Sequence, residues 1–279
     1  MTPRRKTLDD YPRMKHAVPT LRLWFRVLFF AVSIPVMLVP RVLVWPGVYS
    51  SRRFERASRQ VLYRTWAKMV LWFWGVRLTV KGPVPKAPCL VVGNHQTYLD
   101  GFIAASLLGS ISISMAEMRN WPVIGTFCRW LHIIFVDRRK LRDTHRVNEQ
   151  LLEAMDNGEA ILLFPEGGTS AGHEVRPFKT ALLEPAARYG WPVYPMTINY
   201  HPTPEGWPPV SWAVIWSDGS HIVTHMIRLL RLPRTEATVV FAAEPIQDSD
   251  RKRLAERLRQ AIAAHHVSQP LEEDRETSV

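Results

Sequence analysis

Cys89-Leu90-Val91-Val92-Gly93-Asn94-His95-Gln96-Thr97-Tyr98-Leu99-Asp100 is the stretch on which the reading of this chain turns. Residues 89–92 are strand-like, residues 102–108 are helix-like, and the polar residues between them fall at the carboxyl end of a buried strand. Ligands favour that position in open α/β sheets. His95 is a base with a carboxylate, Asp100, five residues on. A compact turn can fold that carboxylate back to the imidazole, an arrangement suited to taking a proton from a hydroxyl. The same spacing also fits an ordinary helix start, in which Thr97 and Asp100 stabilise first-turn amides. Spacing alone leaves both open.

Outward from this stretch, strand-like runs recur at 111–115, 133–136, 160–164, 193–198, 210–215 and 237–241. Helical patterns fall between several of them, at 102–108, 146–157 and 180–189, and a closing amphipathic helix is expected at 251–266. The alternation predicts an α/β fold with a mostly parallel central sheet flanked by helices, preceded by an N-terminal membrane-associated helical hairpin. The expected organisation is a basic disordered arm at 1–20, a membrane-associated helical region at 21–81, an α/β domain at 82–268 and an acidic tail at 269–279.

The membrane expectation comes from charge and aromatic content taken together. Lys and Arg number 36 against 25 Asp and Glu, a net +11, and 11 Trp and 11 Phe accompany them. Such a surplus implies an anionic partner. Basic residues among large aromatics suit a membrane interface; no groove-reading or base-stacking module is present, which argues against nucleic acid. Residues 21–49 are strongly apolar but interrupted by Arg26, Arg41, Pro35, Pro40 and Pro46. The cleanest run, 27–39, is about 20 Å long as a helix, short of the ~30 Å hydrocarbon core. A broken hairpin dipping into one leaflet is the expectation. Residues 52–81 carry eight basic side chains against Glu55 alone, with apolar residues at helical spacing, and read as an amphipathic helix, either on the membrane surface, which the preceding apolar segment favours, or covering the sheet with its charges solvated. Cys89 and Cys128 read as reduced core residues of a cytosolic compartment.

Three polar clusters each follow an apolar strand: 94–100, then Asp137-Arg138-Arg139-Lys140, then Pro165-Glu166-Gly167-Gly168-Thr169-Ser170. In a parallel sheet these strand ends converge on one edge, so a base, a cationic patch and a glycine-rich acidic loop share one cleft. Backbone amides of such a loop can hold an oxyanion or a phosphate. A rival motif overlaps the third cluster. Gly168-Thr169-Ser170-Ala171-Gly172 matches G-x-S-x-G, the nucleophile elbow of serine lipid hydrolases, with Asp218 and His221 or His265 downstream. Its context is poor, because an elbow needs a strand running straight in and a helix straight out.

Taken together, these residues resemble the 1-acyl-glycerol-3-phosphate acyltransferase family of membrane-associated lysophospholipid acyltransferases. Residues 94–100 fit its NHxxxxD block, 133–138 its IFxDR block, 164–167 its FPEG block and 192–195 its proline-containing fourth block. The resemblance implies that His95 deprotonates the acceptor hydroxyl, Asp100 orients and charge-stabilises the imidazole, and the alkoxide attacks an acyl thioester directly. It further implies that Asn94, Phe135, Arg138, Glu166, Gly167 and Gly168 contact substrate, Arg138 pairing with the head-group phosphate and amides near Gly167 and Gly168 holding the oxyanion. No metal and no cofactor is implied, only acyl-ACP or acyl-CoA as co-substrate. The implied partners are a lysophospholipid, an acyl thioester donor such as acyl carrier protein, and membrane lipids, at the cytoplasmic face of the inner membrane. The implied acceptor is 1-acylglycerol-3-phosphate, acylated at sn-2 to phosphatidate.

The chain also departs from that family. His132 and Met115 replace a glycine and a lysine found in many members, and Gly168-Thr169-Ser170 replaces Thr-Arg-Ser. Arg176, Lys179 or Arg119 can supply the missing cation. Residues 167–179 look like the related lyso-ornithine-lipid acyltransferases, whose acceptor lacks phosphate, and this is the alternative acceptor.

Overall fold

A computed structural model describes residues 7–43, 51–121, 124–137 and 141–269. Its centre is a seven-stranded sheet formed by β1 (Val76–Lys81), β2 (Cys89–Gly93), β3 (Ile111–Met115), β4 (Ile134–Val136), β5 (Ala160–Leu163), β6 (Val193–Tyr200) and β7 (Thr235–Phe241). The strand order is β1-β7-β6-β2-β5-β3-β4. Every neighbouring pair is parallel except β6 and β7.

The central strands explain why the sequence reads as unbroken apolar runs: both faces are covered, so alternation in polarity is lost. Along β2, Cys89 and Val91 join one core while Leu90 and Val92 join the other. In β5, Ala160 and Leu162 take the first side and Ile161 and Leu163 the second. The first core is closed by α1 (Ala17–Leu43), α2 (Arg52–Phe73), α3 (Leu99–Leu108) and the helix at Ile222–Arg231. The second is closed by helices at Leu141–Asp156, Glu184–Tyr189 and Arg251–Ala263.

The N-terminal third departs from expectation. Residues 8–10 and 12–15, read as part of a disordered arm, form two 3-10 turns, and Met14 is fully buried. The expected hairpin is a single helix, α1, that continues through Pro35. Packing overrides the proline: Phe29 stacks on Phe73, and Phe30 meets Trp66, Trp74 and Phe102. Arg26, read as an interruption, clamps the helix to the domain. It donates from Nε to Phe73 O at 2.9 Å and from Nη1 to Leu230 O and Leu232 O at 3.0 and 2.7 Å. Those carbonyls lie at the carboxyl ends of α2 and of the helix at Ile222–Arg231, where backbone acceptors lack helical partners.

Residues 76–81, expected to end the basic helix, are instead β1, an edge strand paired with β7, so the α/β unit begins before residue 82. Residues 210–213, expected as a strand, form a short helix. The tail beyond residue 269 lies outside the described residues.

Candidate active site

β2 lies between β6 and β5, so the segments leaving all three strands meet at one edge. His95 follows Gly93 at the end of β2, Glu166 follows the end of β5, and Tyr200 ends β6. The His95 Nδ1–H donates to Asp100 Oδ2 at 2.8 Å. The same carboxylate oxygen accepts the Gln96 and Thr97 amides at 2.7 and 2.9 Å. Both readings of the spacing therefore hold together, because one oxygen serves the helix start and the imidazole.

The other oxygen of Asp100 accepts the Tyr200 hydroxyl at 2.7 Å. Asp100 is fully buried, and four donors converge on its two oxygens, which offsets the cost of burying the group. Burial pushes the Tyr200 hydroxyl well above the ordinary phenol range, reinforced by the Asp100 charge, so it stays a donor. Sequence reasoning missed Tyr200. It lies 100 residues from Asp100, and the available hint was a polar aromatic closing an otherwise apolar strand.

The His95 ring stacks on Phe164, with centroids 4.3 Å apart, and Nε2 has no partner among the described residues. The glycine-rich loop grips the histidine backbone from both sides. His95 N–H donates to Glu166 Oε1 at 2.9 Å, and Ser170 N–H donates to His95 O at 2.7 Å. Glu166 Oε2 accepts Arg176 Nε at 3.2 Å, and Arg176 Nη2 donates to Gly168 O at 2.6 Å. Burial raises the Glu166 carboxyl, while bonds from His95 and Arg176 act in the opposite direction. Gly167 takes φ 76°, a conformation that favours glycine, and a Cβ there would lie 2.6 Å from Lys179 Nζ.

Several residues expected at the substrate make contacts within the scaffold. Asn94 is 1% exposed; its side chain donates to Ile198 O at 2.9 Å and accepts Ile198 N–H at 2.8 Å, tying β2 to β6. Phe135 is buried in the core on β4, away from the cavity beside His95. Glu166 has both oxygens engaged within the protein, one of them by the His95 amide. Arg138 lies outside the described residues. Of the replacement cations, Arg176 and Lys179 reach the loop, whereas Arg119 lines a separate cleft.

The strand–turn–helix that a hydrolase elbow requires is absent around Ser170. β5 ends at Leu163, and the next helical turn begins at Ala181. Asp218 pairs with Arg228 at 2.5 Å, and His221 caps the helix at Ile222–Arg231.

His95 opens onto an apolar cavity of about 230 Å³ that runs back beneath α1 and α2. Phe30, Ile34, Tyr63, Trp66, Phe127 and Met226 are among its walls. Tyr98, at the mouth, bonds His225 Nδ1 at 3.3 Å, while His225 Nε2–H donates to Ile215 O at 3.1 Å. His225 is fully buried, and desolvation lowers its pKa to about 4, so the ring is neutral. A base with an orienting carboxylate, facing a deep apolar slot, can activate a hydroxyl on a molecule with a long hydrocarbon chain.

Residues 75–199 match the acyltransferase family model. The lyso-ornithine lipid O-acyltransferase of Pseudomonas aeruginosa is 31% identical over 205 residues, spanning 73% of this chain and 78% of that protein. The chain belongs to the acyltransferase family. The 1-acyl-sn-glycerol-3-phosphate acyltransferase of Neisseria gonorrhoeae is 32% identical to this acyltransferase over 128 residues, 45% of this chain and 50% of the relative. The crystal structure of the 1-acyl-sn-glycerophosphate acyltransferase from Thermotoga maritima shares the fold, with a TM-score of 0.65 at 21% identity across 91% of this chain and 98% of that one.

Proposed function

We propose that the acyltransferase moves a fatty acyl group from an acyl thioester, on acyl carrier protein or coenzyme A, to the free hydroxyl of a single-chain lipid. The carrying observation is the His95–Asp100 pair at the mouth of the apolar cavity. With Nδ1–H held by Asp100, Nε2 accepts the acceptor's hydroxyl proton. The oxygen attacks the thioester carbonyl, and the tetrahedral oxyanion collapses with release of thiolate, which takes the proton back from the imidazolium. The Gly168 amide is bonded to no group among the described residues and lies between the two points where the loop grips His95, a position suited to the oxyanion. The only co-substrate in this scheme is the thioester.

A lyso-ornithine lipid is the favoured acceptor. The relative named for that lipid is 31% identical over 73% of this chain, whereas relatives named for 1-acylglycerol-3-phosphate reach 32% over 45% or 27% over 67%. The loop agrees: Thr169 stands where the phosphate-acceptor enzymes carry arginine and bonds Trp216 O, while Arg176 is engaged by Glu166 and Gly168. Acylation of 1-acylglycerol-3-phosphate to phosphatidate is the second reading.

α1 is read as lying along the cytoplasmic surface of the inner membrane. Its residues 17–37 are long and apolar enough to cross a bilayer. The Arg26 clamp and the aromatic contacts hold one side of the helix to the domain, leaving Leu21, Trp24, Phe25, Leu28, Val32 and Val36 exposed as a stripe for lipid. The test is transfer of labelled acyl groups from acyl-ACP and acyl-CoA to lyso-ornithine lipid and to 1-acylglycerol-3-phosphate by purified protein. Faster turnover of the ornithine acceptor is expected; a strong preference for the phosphate acceptor selects the second reading, and no transfer to either overturns both.

A further inference from the structure

A second cavity, of about 310 Å³, opens at the amino end of α1 between Arg13, His16, Val18, Pro19, Arg22 and Trp207. It shares no residue with the cavity at His95. Each arginine is set by one backbone carbonyl: Arg13 Nη1 donates to Glu205 O at 3.1 Å and Arg22 Nη1 to Arg231 O at 2.8 Å. The turn that presents Trp207 is shaped around Arg13, since a Cβ on Gly206 (φ 76°) would lie 2.4 Å from Arg13 Nη1. The Arg22 guanidinium lies 5.9 Å from the Trp207 ring centroid, which keeps the indole beside the cations. No carboxylate lines the cup, and neither arginine has an acidic partner among the described residues. The positive end of the α1 dipole opens on the same spot.

Its location says what fills it. Val18 begins the exposed apolar stripe of α1 and is itself 63% exposed; Leu21, Phe25 and Leu28 continue the stripe at 68%, 58% and 63%. Arg22 lies one helical turn beyond Val18, at the border between that stripe and the protein body. A cationic, tryptophan-flanked cup at one end of an apolar face matches a molecule with a phosphate at one end and hydrocarbon beyond it. We infer that this cup docks the phosphate group of an anionic phospholipid belonging to the bilayer on which α1 rests. The inference builds on the surface-lying reading of α1. It goes further by giving the enzyme a fixed lipid contact separate from its acceptor site.

Cosedimentation of the full chain with vesicles tests this. One set holds zwitterionic phosphatidylcholine alone and the other adds phosphatidylglycerol. Wild-type protein binds both, the anionic set more tightly. Arg13→Gln with Arg22→Gln weakens binding to the anionic set about 25-fold, at about fivefold per charge, and leaves binding to phosphatidylcholine unchanged. Arg13→Gln alone, at an exposed position, gives about fivefold. The charge-keeping Arg13→Lys with Arg22→Lys retains most of the anionic preference. As a control for general attraction, Arg251→Gln with Lys252→Gln, on the opposite face of the sheet, leaves binding unchanged. Wild-type affinity in the Arg13/Arg22 double variant, or an equal loss in the control, overturns the inference. Failure of wild-type protein to bind either vesicle overturns the surface reading of α1 itself.

Discussion

Asp100 and Glu159 are carboxylates buried at opposite ends of two neighbouring strands, 0% and 3% exposed. Asp100 lies beyond the carboxyl end of β2, and Glu159 lies just before the start of β5. Glu159 is held by Arg59, a permanently charged side chain that is itself 1% exposed, and by Gln60 Nε2 at 2.8 Å. Asp100 meets two amides, a phenol and an imidazole. The first is an ion-paired cluster, with Glu55 a second carboxylate 3.4 Å from Arg59 Nε, so a cation is in place at rest. The second lacks a cation until His95 takes up a proton, so its stabilisation grows as the reaction proceeds. Under the proposed function, equal burial serves stability at one end of the sheet and catalysis at the other.

That contrast breaks most visibly at Asp100. Asp100→Asn keeps the shape but cannot accept all four donors, and acyl transfer is expected to fall about 10³-fold with near-unchanged circular dichroism. At the other end, Arg59→Met leaves Glu159 with Gln60 alone. Denaturant titration is expected to show a loss of roughly 3–5 kcal/mol, with turnover per folded molecule intact. The double variant Arg59→Met with Glu159→Leu recovers most of that loss. A fall in turnover at Arg59 without unfolding would erase the distinction between the two ends.

His225 sharpens the comparison through pH. Its folded pKa of about 4 lies below the ordinary value of 6.5. Between these values the unfolded chain binds a proton that the folded chain refuses, so stability falls as pH drops from 6.5 towards 4. The contribution is about 3 kcal/mol, read as a steepening acid limb of Tm against pH that His225→Gln flattens. The smallest effect is expected at Tyr200. Tyr200→Phe leaves one buried oxygen of Asp100 unpartnered, at a cost of about 1–3 kcal/mol. Turnover drops about tenfold while the acceptor KM stays put, and the acid limb of the rate profile moves.

The sheet was legible where strands are buried on both faces, as at 89–92 and 160–163, because continuous apolar runs between turns admit few other placements. β1 was not, since Arg77 and Lys81 on an edge strand mimic the basic helix before them. Nor were residues 210–213, because a four-residue segment is too short to carry a period. The single helix α1 hides behind its prolines; what carries it through Pro35 is packing against α2, which local propensity does not encode. In the site, His95 and Asp100 were legible because their partnership is local. Asn94 and Glu166 carried the right residue types for ligand contacts. Their partners within the protein, Ile198 and the His95 amide, are set by which strands lie side by side. Tyr200 belongs to the same class, a contact made across β2 and β6.

The central claim is that His95, held by Asp100, activates an acceptor hydroxyl for direct attack on a thioester, with no acyl-enzyme through Ser170. The most direct measurement compares His95→Ala and Ser170→Ala in transfer of labelled acyl groups from a thioester to a lysolipid, under identical conditions. The account predicts at least a ~10³-fold loss for His95→Ala and near wild-type rates for Ser170→Ala. Retained transfer in His95→Ala, or a trapped acyl-serine that disappears in Ser170→Ala, would contradict it.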